Sequence, residues 1–173
     1  DPITSKQGVN LYVLRADLNH PHISGNKLYK LKYNLQAASR ANKGTLLTFG
    51  GAFSNHIAAV AAAGKTYGFK TIGIIRGEKY EPLNPTLQFA TDQGMHLEYV
   101  SRELYRQKEE LMRYVKHKYG DTVFLIPEGG SNELGILGCK EIIRHIPVNF
   151  DHICCACGTG TTLTGIILSL KSV

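Results

Sequence analysis

Between residues 45 and 126, short apolar runs alternate with helix-compatible stretches, and this alternation limits the possible folds more than any other feature of the chain. The runs fall at 45–49, 71–75, 97–100 and 122–126. They are close to continuously apolar rather than alternating with polar residues, the pattern of strands covered on both faces in a parallel sheet. The intervening stretches supply the covering helices. Ser54 can cap the first, whose Ala58 to Ala63 centre is small enough to pack closely on a sheet before Gly64 and Gly68 stop it. Asn84-Pro85 opens the second, which runs to about Asp92 with Gly94 at its end. Residues 102–118 read as one long charged helix. The class is α/β.

The flanks extend the pattern. Residues 11–15 read as a strand, followed by a loop through His20-Pro21-His22. A helix begins near Lys27 and runs to about Arg40, with Leu28, Leu31, Leu35 and Ala38 on one stripe. Residues 134–145 read as helical, 151–156 as a buried strand and 161–170 as a last helix. The four βα units of 45–128 suffice for a compact sheet of their own, so the segments on either side must pair elsewhere. Two domains follow: 35–129 as a smaller α/β unit, and 1–34 with 130–173 as part of a larger one. The 151–156 strand needs more partners than the chain supplies, so the second domain is expected to be incomplete and the chain a fragment.

Bulk properties exclude several classes. With 43% apolar and 20% charged residues, the 173-residue chain can build a real core. Its net charge of +6 invites a nucleic-acid reading. The basic residues are dispersed, however, and the densest stretch, 102–118, mixes them with Glu103, Glu109 and Glu110 as a solvated helix face does. Nucleic acid is therefore not expected, although a modest positive field would attract a phosphorylated cofactor or a carboxylate. Of the four cysteines, Cys154, Cys155 and Cys157 lie in the 151–156 run or next to it. They lack a second ligand pair, so no metal is expected; they read as buried, reduced small hydrophobes. No apolar run approaches membrane-spanning length, and no leader-like amino terminus is present. The expected location is the cytoplasm, without membrane attachment.

Three polar runs sit where strands give way to helices. Gly158-Thr159-Gly160-Thr161-Thr162 offers backbone N–H groups and hydroxyls at a helix amino terminus, where the dipole favours an anion. It lacks the lysine of a P-loop and the third glycine of a dinucleotide fingerprint. A capped turn is the plainer reading. Gly50-Gly51 with Ser54-Asn55-His56 follows a strand end, where open α/β sheets place ligands. There an ordinary serine cap competes with an asparagine and a histidine reaching into a cleft. Ile126-Pro127-Glu128-Gly129-Gly130-Ser131-Asn132 permits close backbone approach to a ligand or is simply a tight turn. Lys27 and Lys30 share one side of a helix start. They are a surface pair, or Lys27 is a partly buried amine that loses its proton readily beside the cation of Lys30.

Taken in order, Ser24-Gly25-Asn26-Lys27 with Lys30-Leu31, Gly50-Gly51 with Ser54-Asn55-His56, residues 126–131 and residues 158–162 resemble the fold-type II pyridoxal phosphate (PLP) enzymes of the 1-aminocyclopropane-1-carboxylate deaminase / D-cysteine desulfhydrase family. The resemblance implies two open parallel twisted sheets flanked by helices, as in the tryptophan synthase β-like fold. It implies that Lys27 attaches PLP as a Schiff base and that Asn55 bonds the ring hydroxyl. Thr159, Gly160, Thr161 and Thr162 would hold the phosphate, with Lys30 as a further contact. Ser54, Asn55 and His56 would face the substrate, Ser54 also taking part in proton transfer or attack. The family's pyridine-nitrogen partner and substrate-facing tyrosines lie beyond the residues present here.

The implied activity is that of a PLP-dependent lyase or deaminase acting on a small amino acid. His56 stands where the family's deaminases have glutamine and its desulfhydrase-like members histidine. This favours β-elimination from D-cysteine to pyruvate, sulfide and ammonia over opening of 1-aminocyclopropane-1-carboxylate to 2-oxobutanoate and ammonia. A PLP- or anion-binding protein without turnover is the alternative of another class. A homodimer is implied by the resemblance alone.

Overall fold

The computed structural model describes residues 8–170. Its regular elements are α1 (Asn26–Arg40), β1 (Thr45–Gly50), α2 (Asn55–Tyr67), β2 (Lys70–Arg76), α3 (Pro85–Asp92), β3 (Met95–Val100), α4 (Arg102–Arg106), α5 (Lys108–Tyr119), β4 (Val123–Leu125), α6 (Glu133–Lys140) and α7 (Thr161–Leu170). The four strands form one parallel sheet in the order β3-β2-β1-β4. β1 is central. Thr45 pairs with Lys70 on one side and with Val123 on the other.

Both faces of the sheet are covered, as the continuous apolar runs require. Leu46 of β1 and Ile75 of β2 pack with Ile57, Val60 and the alanines of α2, and with Leu87 and Ala90 of α3. Leu47, Phe49 and Ile74 face the other way, onto Tyr105 of α4 and Leu111 and Val115 of α5. Helix α2 sits close to the sheet because it carries almost no side-chain bulk. A Cβ on Gly64, which lies within the helix rather than ending it, would stand 2.3 Å from the Thr71 methyl. Gly68, in the left-handed conformation at φ 77°, is what stops the helix. Ser54 and Asn84 cap α2 and α3 through their side-chain oxygens.

Four expectations are corrected. The 102–118 helix is broken at Gln107 (φ −83°, ψ 79°) into α4 and α5. In one continuous helix Tyr105 and Leu111 would point about 120° apart; the break brings both into the same core. Residues 134–145 form α6 followed by a 3₁₀ turn, Glu141–His145. Neither flanking strand forms: 11–15 and 151–156 have no regular structure, and Leu11, Tyr12, Val13, Cys154 and Cys155 are exposed. A strand is stable only against a neighbour, and neither segment has one among the described residues. The cysteine reading changes accordingly: Cys139 is buried, and Cys154, Cys155 and Cys157 are not.

Helices α1, α6 and α7 pack beside the sheet layer. Glycines let them approach closely. A Cβ on Gly138 of α6 would lie 1.8 Å from the Tyr29 carbonyl oxygen of α1, and one on Gly165 of α7 would lie 2.4 Å from the Cys139 Cβ. Lys32 bonds Glu141 at 2.6 Å, tying α1 to the turn after α6. No described helix is long and apolar enough to cross a membrane, and no group of metal-ligating side chains occurs among the described residues.

Candidate active site

The order β3-β2-β1-β4 reverses direction between β1 and β4, and the crevice outside the carboxyl ends of such a pair is where doubly wound sheets bind ligands. The loop after β1 leads to Ser54-Asn55-His56, and the loop after β4 is Pro127 to Gly130. The amino-terminal turn of α1 packs against this edge, and so does the loop that opens α7. The turn of α1, the loop after β4 and the loop that opens α7 line a cavity of about 210 Å³, with Asn26, Lys27, Lys30, Gly129, Thr159 and Thr162 among its walls.

Lys30 is buried, only 3% exposed, so the surface-pair reading is replaced. Its ammonium donates to the Gly129 carbonyl at 3.1 Å and to Thr159 Oγ1 at 3.2 Å. Lys27 is half-buried and donates to Asn26 Oδ1 at 3.0 Å. Burial pushes the Lys27 amine below the usual lysine range, and the charge of Lys30 pushes it further. Lys30 is lowered chiefly by its own burial. A lysine that gives up its proton more easily, beside one held for its charge, is the division of labour that an attacking amine requires.

The Gly158–Thr162 loop faces both lysines. Gly160 takes φ 80°, a conformation that favours glycine. Thr159 Oγ1 lies 3.0 Å from Thr161 Oγ1, and Thr161 donates to Ser131 Oγ at 2.9 Å. Thr161 is thereby buried as a strut behind the loop, while Thr159, Gly160 and Thr162 line the cavity. The Gly129-Gly130 turn is both tight and closely approached. Each residue has a positive φ, and a Cβ on Gly129 would meet the Thr159 methyl at 2.8 Å.

The remaining sequence-selected residues are placed differently. Ser54 Oγ accepts the Ile57 N–H at 3.3 Å as a helix cap, beside Gly50 at the end of β1. Asn55 opens α2 with its side chain exposed. Neither lines the cavity of the lysines. His56, expected to reach into the cleft, is turned inward at 3% exposure, with Nε2 2.9 Å from Thr48 Oγ1. Two residues that sequence reasoning did not select belong to this region. Asn26 bridges Lys27 to Thr162, donating to its hydroxyl at 2.8 Å. Thr48 links His56 to the Ile126 carbonyl. Adjacency to Lys27 was the available signal for Asn26; for Thr48 it was a hydroxyl inside an apolar strand.

These groups suit a phosphorylated carbonyl compound. Lys30, the threonine hydroxyls and the amino terminus of α7 offer the donors and positive charge that a phosphate accepts, and the Lys27 amine is of the kind that can add to a carbonyl carbon. An α/β sheet with such an amine and such a cradle at its carboxyl edge is suited to a phosphorylated aldehyde such as PLP. The family model described as "Pyridoxal-phosphate dependent enzyme" matches residues 1–172, and the chain belongs to that family.

Among its relatives, a Thermotoga maritima protein named "Putative 1-aminocyclopropane-1-carboxylate deaminase" is 37% identical over 173 residues, covering 95% of this chain and 55% of the relative. The mitochondrial "Bifunctional D-cysteine desulfhydrase/1-aminocyclopropane-1-carboxylate deaminase" of Arabidopsis thaliana is 33% identical, covering 93% of this chain and 45% of its own length. A crystal structure described as the "ACC deaminase homologue" superposes with a TM-score of 0.80 at 32% identity over 98% of this chain and 54% of that one. The chain thus spans about half the length of the relatives it matches.

Proposed function

We propose that this chain carries the cofactor-anchoring part of a PLP-dependent lyase acting on a small amino acid. The observation that carries the reading is the half-buried, acidified Lys27 amine in one cavity with Lys30 and the Gly158–Thr162 loop. Lys27 is the amine that attaches the cofactor and then moves a proton at the substrate α-carbon. Lys30, Thr159, Gly160 and Thr162 hold the phosphate, with Thr161 bracing the loop from behind. Ser54 and Asn55, at the end of the central strand, meet the substrate carboxylate and the ring hydroxyl. Bound PLP supplies an electron sink for the pair left on the α-carbon when its proton departs.

The finer reading is elimination of the β-thiol from D-cysteine, which with one water gives pyruvate, sulfide and ammonia. The histidine at position 56 and the name of the Arabidopsis relative support it. Deamination of 1-aminocyclopropane-1-carboxylate is the second reading, favoured by the name of the Thermotoga relative. We place the first turns of α1 with α6 and α7 in a larger cofactor domain, residues 1–34 with 130–173, and the rest of α1 with the sheet in a smaller one, 35–129. The homodimer remains part of the same proposal. The test is to load the full-length protein with PLP, challenge it with D- and L-amino acids, and follow the visible spectrum and keto-acid release. Keto acid from D-cysteine supports the finer reading. A borohydride-reducible adduct on Lys27 without any keto acid points to a binding protein, and no adduct on Lys27 overturns the assignment.

A further inference from the structure

His56 is almost wholly buried at the first turn of α2, and its hydrogen bonds leave one consistent arrangement of protons. Thr48 Oγ1 lies 2.8 Å from the Ile126 carbonyl oxygen, which can only accept, so the Thr48 proton goes there. Thr48 Oγ1 is also 2.9 Å from His56 Nε2, and with its own proton spent it must accept. Nε2 therefore carries the imidazole hydrogen and Nδ1 carries a lone pair. Nδ1 has no protein partner. The opposite tautomer would draw the Thr48 proton to Nε2 and leave the Ile126 carbonyl without the hydroxyl, a costlier arrangement.

The imidazole touches the part of the molecule that carries the site. A Cβ on Gly130 would lie 3.5 Å from His56 Cε1 and 3.2 Å from Lys30 Cβ, so His56 and Lys30 rest on the same side-chain-free turn. The preceding residue of that turn provides the carbonyl that holds the Lys30 ammonium.

We infer that His56 is a positioning residue, whose directional chain Nε2–H to Thr48 Oγ1–H to the Ile126 carbonyl pins the first turn of α2 to β1 and to the loop after β4, and so sets the Gly129-Gly130 turn under Lys30. One side chain thus ties together the Ser54-Asn55 turn, the central strand and the loop that holds the lysine. A second proton would find only the Pro127 carbonyl near the ring and would face the charged groups of α1, Lys27 and Lys30. Burial and those two charges hold the imidazole neutral, with its pKa down at about 3. The catalytic consequence rests on the proposed reading of the cleft; the arrangement of protons does not.

Two measurements test this. In the full-length protein without cofactor, nitrogen NMR of labelled imidazoles is expected to show His56 as a fixed Nε2–H tautomer that does not titrate between about pH 5 and 8. An Nδ1–H tautomer, or titration near the ordinary histidine value, overturns the inference whether or not the protein turns over any amino acid. The second measurement compares two replacements. Glutamine places an amide nitrogen where Nε2 sits; asparagine reaches only as far as Nδ1. His56→Gln should keep PLP affinity within roughly threefold, whereas His56→Asn and Thr48→Val should each weaken it about tenfold, and the His56→Asn/Thr48→Val pair no more than either alone. Retention by His56→Asn with loss in His56→Gln would show that Nδ1, not the Thr48 link, is the working atom, and the positioning role would fall.

Discussion

Asn26 and Thr162 are joined by a 2.8 Å hydrogen bond across 136 residues of sequence. The orientation of the amide is fixed by chemistry: the Lys27 ammonium can only donate, so it takes Oδ1, and Nδ2 is left for the threonine. One side chain therefore holds both the anchoring amine and the phosphate loop. Asn26→Leu, nearly isosteric, should weaken PLP binding about three- to tenfold, the worth of one or two net hydrogen bonds. Absorbance titration checks it. Asn26→Asp should instead raise the apparent pKa of Lys27, because a carboxylate favours the charged amine.

Lys30 lowers Lys27 through its charge. Lys30→Met keeps the buried stem and removes the ammonium, so the pH at which Lys27 becomes reactive should move up. The rate of reductive labelling of Lys27 against pH reads this directly. An unchanged profile would mean that burial alone acidifies the amine. PLP affinity should fall at the same time, since the 3.2 Å contact to Thr159 is lost with the charge.

Gly138 lets α6 lie against the Tyr29 carbonyl, where a Cβ would stand at 1.8 Å. That neighbour is backbone and cannot swing aside. Gly138→Ala should cost at least about 2 kcal/mol in chemical denaturation, in the range of overpacked cores. Gly158→Ala, where a Cβ meets nothing within 4 Å, is the control and should be near neutral in stability.

His56 stays neutral in the folded protein down to about pH 3, while in the unfolded chain it protonates near its ordinary value of 6.5. Between those values the unfolded state binds a proton that the folded state refuses. Stability is therefore unaffected above about pH 6.5 and falls as pH drops below it, by up to ~1.4 kcal/mol per pH unit. Denaturant titrations at pH 7, 6 and 5 should show the decline, and His56→Gln should flatten it.

The sheet was legible because its signals are local. A strand covered on both faces shows as an apolar run, and a cap shows as Asn84 before Pro85 or Ser54 before an apolar turn. The break at Gln107 was not legible, since every residue from 102 to 118 suits a helix and only the demand to bury Tyr105 and Leu111 together interrupts it. The runs at 11–15 and 151–156 have strand composition without a strand partner among the described residues, and composition does not reveal partners. In the site, Lys27, Lys30 and the Gly/Thr loop stood out by residue type, whereas Asn26, Thr48 and the inward turn of His56 depend on contacts to residues 136, 78 and 8 positions away.

The Asn26–Thr162 bond also bears on the order in which the molecule assembles. The β1-α2-β2-α3-β3 stretch closes short loops, which cost little chain entropy. Bringing α1 to α7 closes nearly the whole chain. Substitutions in β1 and α2 should therefore slow refolding, while Asn26→Leu and Thr162→Val should mainly speed unfolding. The lysine and its cradle are then the last parts of the described structure to meet during folding and the first to separate when it loosens.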